Sequence, residues 1–152
     1  VSVREAWPDD LPELLRMARA FHEASNYGGL IPLDDETLTS TLAALASGDN
    51  GAVLVWEVAP GKLGGMAVGG ASSHWWNRSV TVGQELLWWV DPEQRGTGAG
   101  AALLDALEAW ARDAGCNVFS MASTATLKPD ALARLYQRRG YQPQDIFYSK
   151  RV

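Results

Sequence analysis

Residues 88–100 read WWVDPEQRGTGAG. An apolar run, Trp88 to Val90, stops at Pro92, and Arg95 then leads into Gly96, Gly98 and Gly100. Proline cannot donate to a sheet ladder, so the run reads as a strand that ends here. Downstream, Leu103, Leu104, Leu107, Trp110, Ala111 and Ala114 recur at helical spacing. The glycines therefore stand between a strand and the N-terminus of a long helix. The first amides of a helix lack intrahelical acceptors and carry partial positive charge. Glycine lets an anion approach them without a Cβ in the way, and Arg95 adds a cation. The stretch predicts a pyrophosphate cradle; the plainer alternative is a mobile turn with a surface arginine. No Lys-Ser/Thr follows, so it is not a Walker loop. Gly96, Gly98 and Ala101 can be forced into a dinucleotide fingerprint. That fold needs a second mononucleotide half and an acid at the end of the next strand, and NVFSMAS (117–123) offers none.

Outward from the loop, 1–6 suggests a first strand, and LPELLRMARAF (11–21) a helix with Leu11, Leu14, Leu15, Ala18 and Phe21 on one side. Asp34 or Asp35 can cap a second helix carrying Leu38, Leu42 and Leu45. AVLVWEVA (52–59), LGGMAVGGA (63–71) and TVGQELLWWV (81–90) read as three strands. The glycines of the second predict a close approach of backbone or ligand, and SSHWWNRS (72–79) reads as a loop. After the glycine turn come a helix ending near Gly115, a strand over 117–123, a helix over 130–140 and a final strand over 145–151. The expected class is α/β, in the order β-α-α-β-β-β-α-β-α-β, with a parallel crossover around 84–121. No linker or repeat divides residues 1–152, so one domain is expected.

Composition narrows the partners. The chain has 152 residues, a net charge of −5, one cysteine and two histidines. An acidic surface argues against binding nucleic acid and suits cationic substrates such as amines. Cys116 alone permits no internal disulfide and no cysteine zinc cluster, so no metal is expected. The N-terminal stretch is not a signal peptide and no apolar run reaches membrane-spanning length. The expectation is a cytoplasmic protein with no membrane partner. The seven tryptophans leave room for a homodimer.

VDPEQRGTGAG resembles the acyl-CoA pyrophosphate loop of the GNAT superfamily of N-acyltransferases, Arg/Gln-x-x-Gly-x-Gly/Ala, with Arg95, Gly98 and Gly100 in those places. VREAWPDDLPELLRMA (3–18) is similar to that family's first strand and helix. ALARLYQRRGYQP (131–143) is similar to its closing helix with Tyr-x-x-x-Gly-aromatic, here Tyr136, Gly140 and Tyr141. FHEASNY (21–27), taken with WWVDPEQRG, resembles small prophage-associated members. Two departures stand out. Pro129 sits where the family often has Asn, and the chain beyond Tyr141 has room for about one strand rather than a hairpin, so another subunit is a candidate to complete the sheet.

The resemblance implies a GNAT-like mixed sheet with helices on both faces, and transfer of an acetyl group from acetyl-CoA to a primary amine by direct attack in a ternary complex. It implies coenzyme contacts at Trp88, Trp89 and Val90, whose backbone would pair with pantetheine, and at Arg95, Gly96, Thr97, Gly98, Ala99 and Gly100. It places Tyr136 beside the sulfur, where a phenol can protonate a thiolate. Glu85 stands on a strand where some relatives carry a catalytic glutamate. Strand alternation turns Glu85 away from the face of Trp88 and Val90 unless a bulge intervenes. Gln84 has the better parity but is no base, and His74 is a further titratable candidate. Tyr27, Trp75 and Trp76 are expected to wall an apolar or cationic amine site, or to serve as packing. Cys116, in a helix-to-strand turn, is a poor acyl carrier. The alternative is a non-catalytic CoA-binding or regulatory module that kept the cradle without the base.

Overall fold

A computed structural model describes residues 2–152; Val1, expected at the start of the first strand, lies outside them. The strands are β1 (Ser2–Glu5), β2 (Gly51–Ala59), β3 (Lys62–His74), β4 (Asn77–Val90) and β5 (Val118–Ser120). The helices are α1 (Leu11–Ala24), α2 (Asp35–Ser47), α3 (Ala99–Asp113) and α4 (Pro129–Arg138). The sheet runs in the order β1-β2-β3-β4-β5. Its first four strands are antiparallel neighbours, and β4 pairs with β5 in parallel, as the 84–121 crossover predicts.

Helices cover both faces. On one, Leu14 and Met17 of α1 and Leu42 of α2 pack on Val53, Val55, Met66, Val68 and Trp89. On the other, Leu103 and Leu107 of α3 pack on Ala52, Leu54, Trp56 and Ala67. Neighbouring strand residues alternate between these clusters, and each fully buried Leu contributes on the order of 1.5–3 kcal/mol. Asp34 caps α2, its carboxylate accepting from Thr37 N at 2.8 Å. The glycines of β3 admit α3: a Cβ on Gly69 would lie 2.7 Å from the Trp110 ring. The close approach expected there is thus helix against sheet.

Two local expectations change. Strands β3 and β4 reach His74 and Asn77, so the expected 72–79 loop is a long hairpin whose turn is Trp75-Trp76. The final strand over 145–151 does not form, and residues 141–152 carry neither helix nor strand. A strand needs a neighbouring edge. The chain instead leads across to the loop after α1, where Arg151 Nη2 donates to the Gly29 carbonyl at 2.7 Å. Among the described residues, no helix is long and apolar enough to cross a membrane.

Candidate active site

Strand β4 holds the site together because it carries a bulge. Leu87 pairs with Val68 and Glu85 with Gly69, which leaves Leu86 as an extra residue. Leu87 packs with the α1/α2 cluster. Leu86 points the same way, its Cδ1 3.4 Å from where a Cβ of Gly70 would lie, beside Leu45 of α2. Two successive side chains on one face restore Glu85 to the other. Gly69, opposite Glu85, looks at Trp110 and Leu107 of α3, and Trp88 and Val90 belong to that same cluster. Plain alternation therefore misassigns the face: the bulge puts Glu85 with Trp88 and Val90, and Gln84 on the opposite side.

Glu85 and Tyr136 converge on one residue. The Tyr136 hydroxyl donates to the Ala122 carbonyl at 2.7 Å, and the Ala122 amide lies 3.4 Å from Glu85 Oε2. Burial pushes the Glu85 carboxyl up to about 7, against the weaker pull of the Ala122 amide. Burial, and then the charge of Glu85, raise the Tyr136 phenol far above its ordinary value, so it keeps its proton. The Tyr136 and Trp88 rings lie 6.3 Å apart. Tyr141 closes the other side, its ring 5.6 Å from Tyr136 and its hydroxyl donating to Glu108 at 2.7 Å.

Beside this pair the sheet opens. Pairing of β4 with β5 covers only Val82–Gln84 against Val118–Ser120, so beyond Gln84 the β5 side of β4 has no strand. The Asp91 amide donates inward to Gly64 of β3; by alternation, the backbone groups of Val90 and Trp88 face the open edge. Arg95 Nε already donates to the Val90 carbonyl at 3.0 Å, and its guanidinium lies 4.9 Å from the Trp89 ring. Trp88 Nε1 is buried without a partner among the described residues.

The glycine loop has the geometry of a cradle. Gly96 and Gly98 take φ of 81° and 93°, which favour glycine over any side chain. The amides of Gly96, Gly98, Ala99, Gly100 and Ala101 have no protein acceptor among the described residues. Thr97 differs, because both its amide and its hydroxyl turn to the Gln94 carbonyl, at 3.4 and 2.6 Å. A brace invisible in the sequence fixes the loop's root. Asp91 is buried; it takes two bonds from Arg16, at 3.1 and 2.8 Å, and one from Trp89 Nε1 at 2.8 Å. Burial alone would raise the Asp91 carboxyl, but Arg16 and the indole hold it below the usual range. Nothing local announces a pair separated by 75 residues.

The remaining sequence candidates separate. Tyr27 joins Phe21, His22, Leu86 and Leu87 around a cavity of about 330 Å³ on the α1/α2 face. Trp75 and Trp76 sit at the hairpin tip, 83% and 73% exposed, against only each other and His74. Nine strand residues separate Trp76 from Glu85, roughly 30 Å at the usual rise, so neither these tryptophans nor His74 joins Tyr27. Cys116 lies beneath Gly83 with its thiol pushed up by burial. No cluster of three or more His, Cys, Asp or Glu side chains suited to a metal occurs among the described residues.

Known proteins show the same architecture. A stretch of 90 residues is 39% identical to aminoglycoside N(6')-acetyltransferase type 1 of Stenotrophomonas maltophilia, and it spans 58% of this chain and 58% of that relative. A transcriptional regulator from Bacillus halodurans superposes with a TM-score of 0.78 at 18% identity, covering 100% of this chain and 99% of that one. AAC(6')-Iy, solved with the bisubstrate analog CoA-S-monomethyl-acetylneamine, superposes with a TM-score of 0.75 at 18% identity, covering 99% and 98%. Likeness at this identity speaks for the fold alone. The acetyltransferase (GNAT) family model matches residues 6–141, from the end of β1 through the Tyr136–Tyr141 closure, and the chain belongs to that family.

Proposed function

We propose that the protein is an N-acetyltransferase that moves an acetyl group from acetyl-CoA to a primary amine by direct attack in a ternary complex. The convergence of Glu85 and Tyr136 on Ala122, beside a gap in the sheet and a loop of unpaired amides, carries the reading. The free amides from Gly96 to Ala101 fit a diphosphate; a left-handed glycine at 96 and 98 keeps that surface bare. Trp88, on the open edge of β4, offers backbone groups to an extended pantetheine chain in the manner of an added strand. At Val90 the carbonyl is committed to Arg95, so the amide is the group on offer.

A thioester supplies an activated acyl group and a leaving thiolate. The protein supplies the proton traffic. An alkylammonium titrates near ~10.4, so the attacking nitrogen must give up a proton. Glu85, titrating near 7, is substantially ionised at neutral pH and takes that proton directly or through one water. Tyr136 stays protonated across the working range and is the group able to donate toward the departing sulfur once its hydroxyl leaves the Ala122 carbonyl. The outward amides of β4 beyond Gln84 are the donors available to charge growing on the acyl oxygen.

The test is thiol release from acetyl-CoA across a panel of primary amines, an aminoglycoside among them, with calorimetric titration of CoA alongside. Turnover with at least one amine, lost in Glu85→Gln, is the expected result. CoA binding with no turnover on any amine would leave the non-catalytic module standing. Absence of CoA binding would remove both.

A further inference from the structure

The bulge that turns Glu85 toward α3 also turns Leu86 and Leu87 together toward α1 and α2, where they form the floor of the 330 Å³ cavity. Phe21, His22, Tyr27 and Ile31 make its walls. No carboxylate lines it. His22 is not free to bind a ligand by its Nε2, which donates to the Ile31 carbonyl at 2.8 Å. The nearby acids are engaged: Asp34 caps α2, and Asp35 pairs with Arg19. On the far side of Leu86 lies a second hollow of about 350 Å³, bordered by Asn50, Ser72 and Gln84, which are polar and uncharged.

A polycationic ligand entering the first cavity would lose water from its ammonium groups and find no charge in return, a cost of several kcal/mol per ion. An apolar group entering it gains about 25 cal/mol for each Å² removed from water. Leu86 is also the residue after Glu85, so the cavity floor and the carboxylate are one peptide apart, beside the gap that β5 leaves open. Resting on the acetyltransfer reading above, we propose that the acceptor is a primary amine with one compact apolar arm, aryl or branched aliphatic. The arm seats between Leu86 and Tyr27, and a short tether carries the nitrogen to Glu85. A polyamino sugar does not match this lining.

The test compares thiol release from acetyl-CoA with 2-phenylethylamine, ethanolamine and kanamycin, using the wild type, Leu86→Gln and Tyr27→Ser. Both altered residues are about half exposed, at 46%, which favours folding of the variants; thermal melts check it. The expected result is a kcat/KM for 2-phenylethylamine at least tenfold above either other amine. KM for that amine should also rise at least tenfold in both variants while KM for acetyl-CoA moves less than twofold. Faster turnover of kanamycin than of 2-phenylethylamine overturns the apolar arm and leaves acetyl transfer standing. The wild-type comparison decides this even if a variant fails to fold. Binding of the amine-free probe 2-phenylethanol to the wild type but not to Leu86→Gln, with no amine turned over, supports the cavity and overturns acetyl transfer. Neither turnover nor binding of the probe overturns both.

Discussion

Two tryptophan pairs bracket β4, and their fates are opposite. Trp75 and Trp76 turn the hairpin in open solvent. Trp88 and Trp89 end the strand inside the protein, with one ring in each core cluster. The residue type is the same and the chain position symmetric, so tryptophan alone did not choose. The next residue in each case makes the difference. Asn77 begins a strand, and only the neighbouring ring and His74 meet Trp76. Asp91, just past the second pair, accepts the Trp89 indole N–H and is itself gripped by Arg16. A buried indole wants an acceptor for its one donor, and Asp91 supplies it where the strand must stop and the loop begin. The end of β4 built as a binding surface is the end whose polar groups are tied down.

The largest effect expected from breaking this contrast is at Glu85. Glu85→Gln is expected to lower kcat by 10²–10⁴-fold, the usual range for a lost general base. In the wild type kcat/KM should climb through pH 7, falling about tenfold per unit below it, and the variant should lose that limb. Stability runs the other way. The folded carboxyl titrates near 7 against an ordinary 4.5, so between those values the native state holds more protons than the unfolded chain. Stability then falls as pH rises from about 4.5 to 7. At pH 8 the glutamine variant should melt higher than the wild type, and a lower melting point would mean that the carboxylate is a structural partner and no base.

This residue also marks where sequence reading stops. The cradle is legible because its causes are local: Gly96 and Gly98 adopt left-handed φ, and the strand before and helix after follow from proline and leucine spacing. The face of Glu85 is not legible, because one unpaired residue, Leu86, reverses the parity of everything before it, and the bulge is fixed by pairing with β3. Arg16 escapes for the same reason; its partner is set by how α1 lies against the sheet. The final strand is misread because apolar Ile146, Phe147 and Tyr148 satisfy strand propensity while no edge takes them, and they stand exposed.

Next in size is the cradle. Gly98→Val places a β-branched side chain at φ 93°, at a cost of about 1–3 kcal/mol in backbone strain. A Cβ there meets no atom within 4 Å, so the fold should survive while the bare amide surface does not. The expected outcome is a rise of about 10- to 100-fold in Kd for CoA by calorimetry, following from that strain and the blocked approach. Unaltered CoA affinity would move the diphosphate elsewhere.

The brace comes third. Asp91→Asn keeps an acceptor for Trp89 but gives up the charge-assisted fork from Arg16. The expected loss is about 1–3 kcal/mol, given that Arg16 is partly exposed. Thermal melts should shift down by roughly 3–8 °C for a chain of this size. Because the folded carboxyl titrates below its unfolded value, the stabilisation is present above about pH 4 and disappears as pH falls through the folded value. The gap between wild type and variant should therefore close in acid, which a simple packing defect would not do.

The smallest effect belongs to the exposed pair, and there the contrast is sharpest. The Trp75→Ala/Trp76→Ala double variant removes two rings whose mutual packing, at 4.9 Å between centroids, is worth about 0.5–1.5 kcal/mol at most. Trp76 also covers His74 at 4.2 Å, so a small loss at the hairpin tip is expected in a melt. Turnover and both KM values should stay within twofold, since roughly 30 Å of strand separates the tip from Glu85. A tenfold rise in KM for the amine would show that the acceptor spans the whole of β4, or that the tip of a second copy closes the site. Either result would return these tryptophans to the substrate role their composition first suggested.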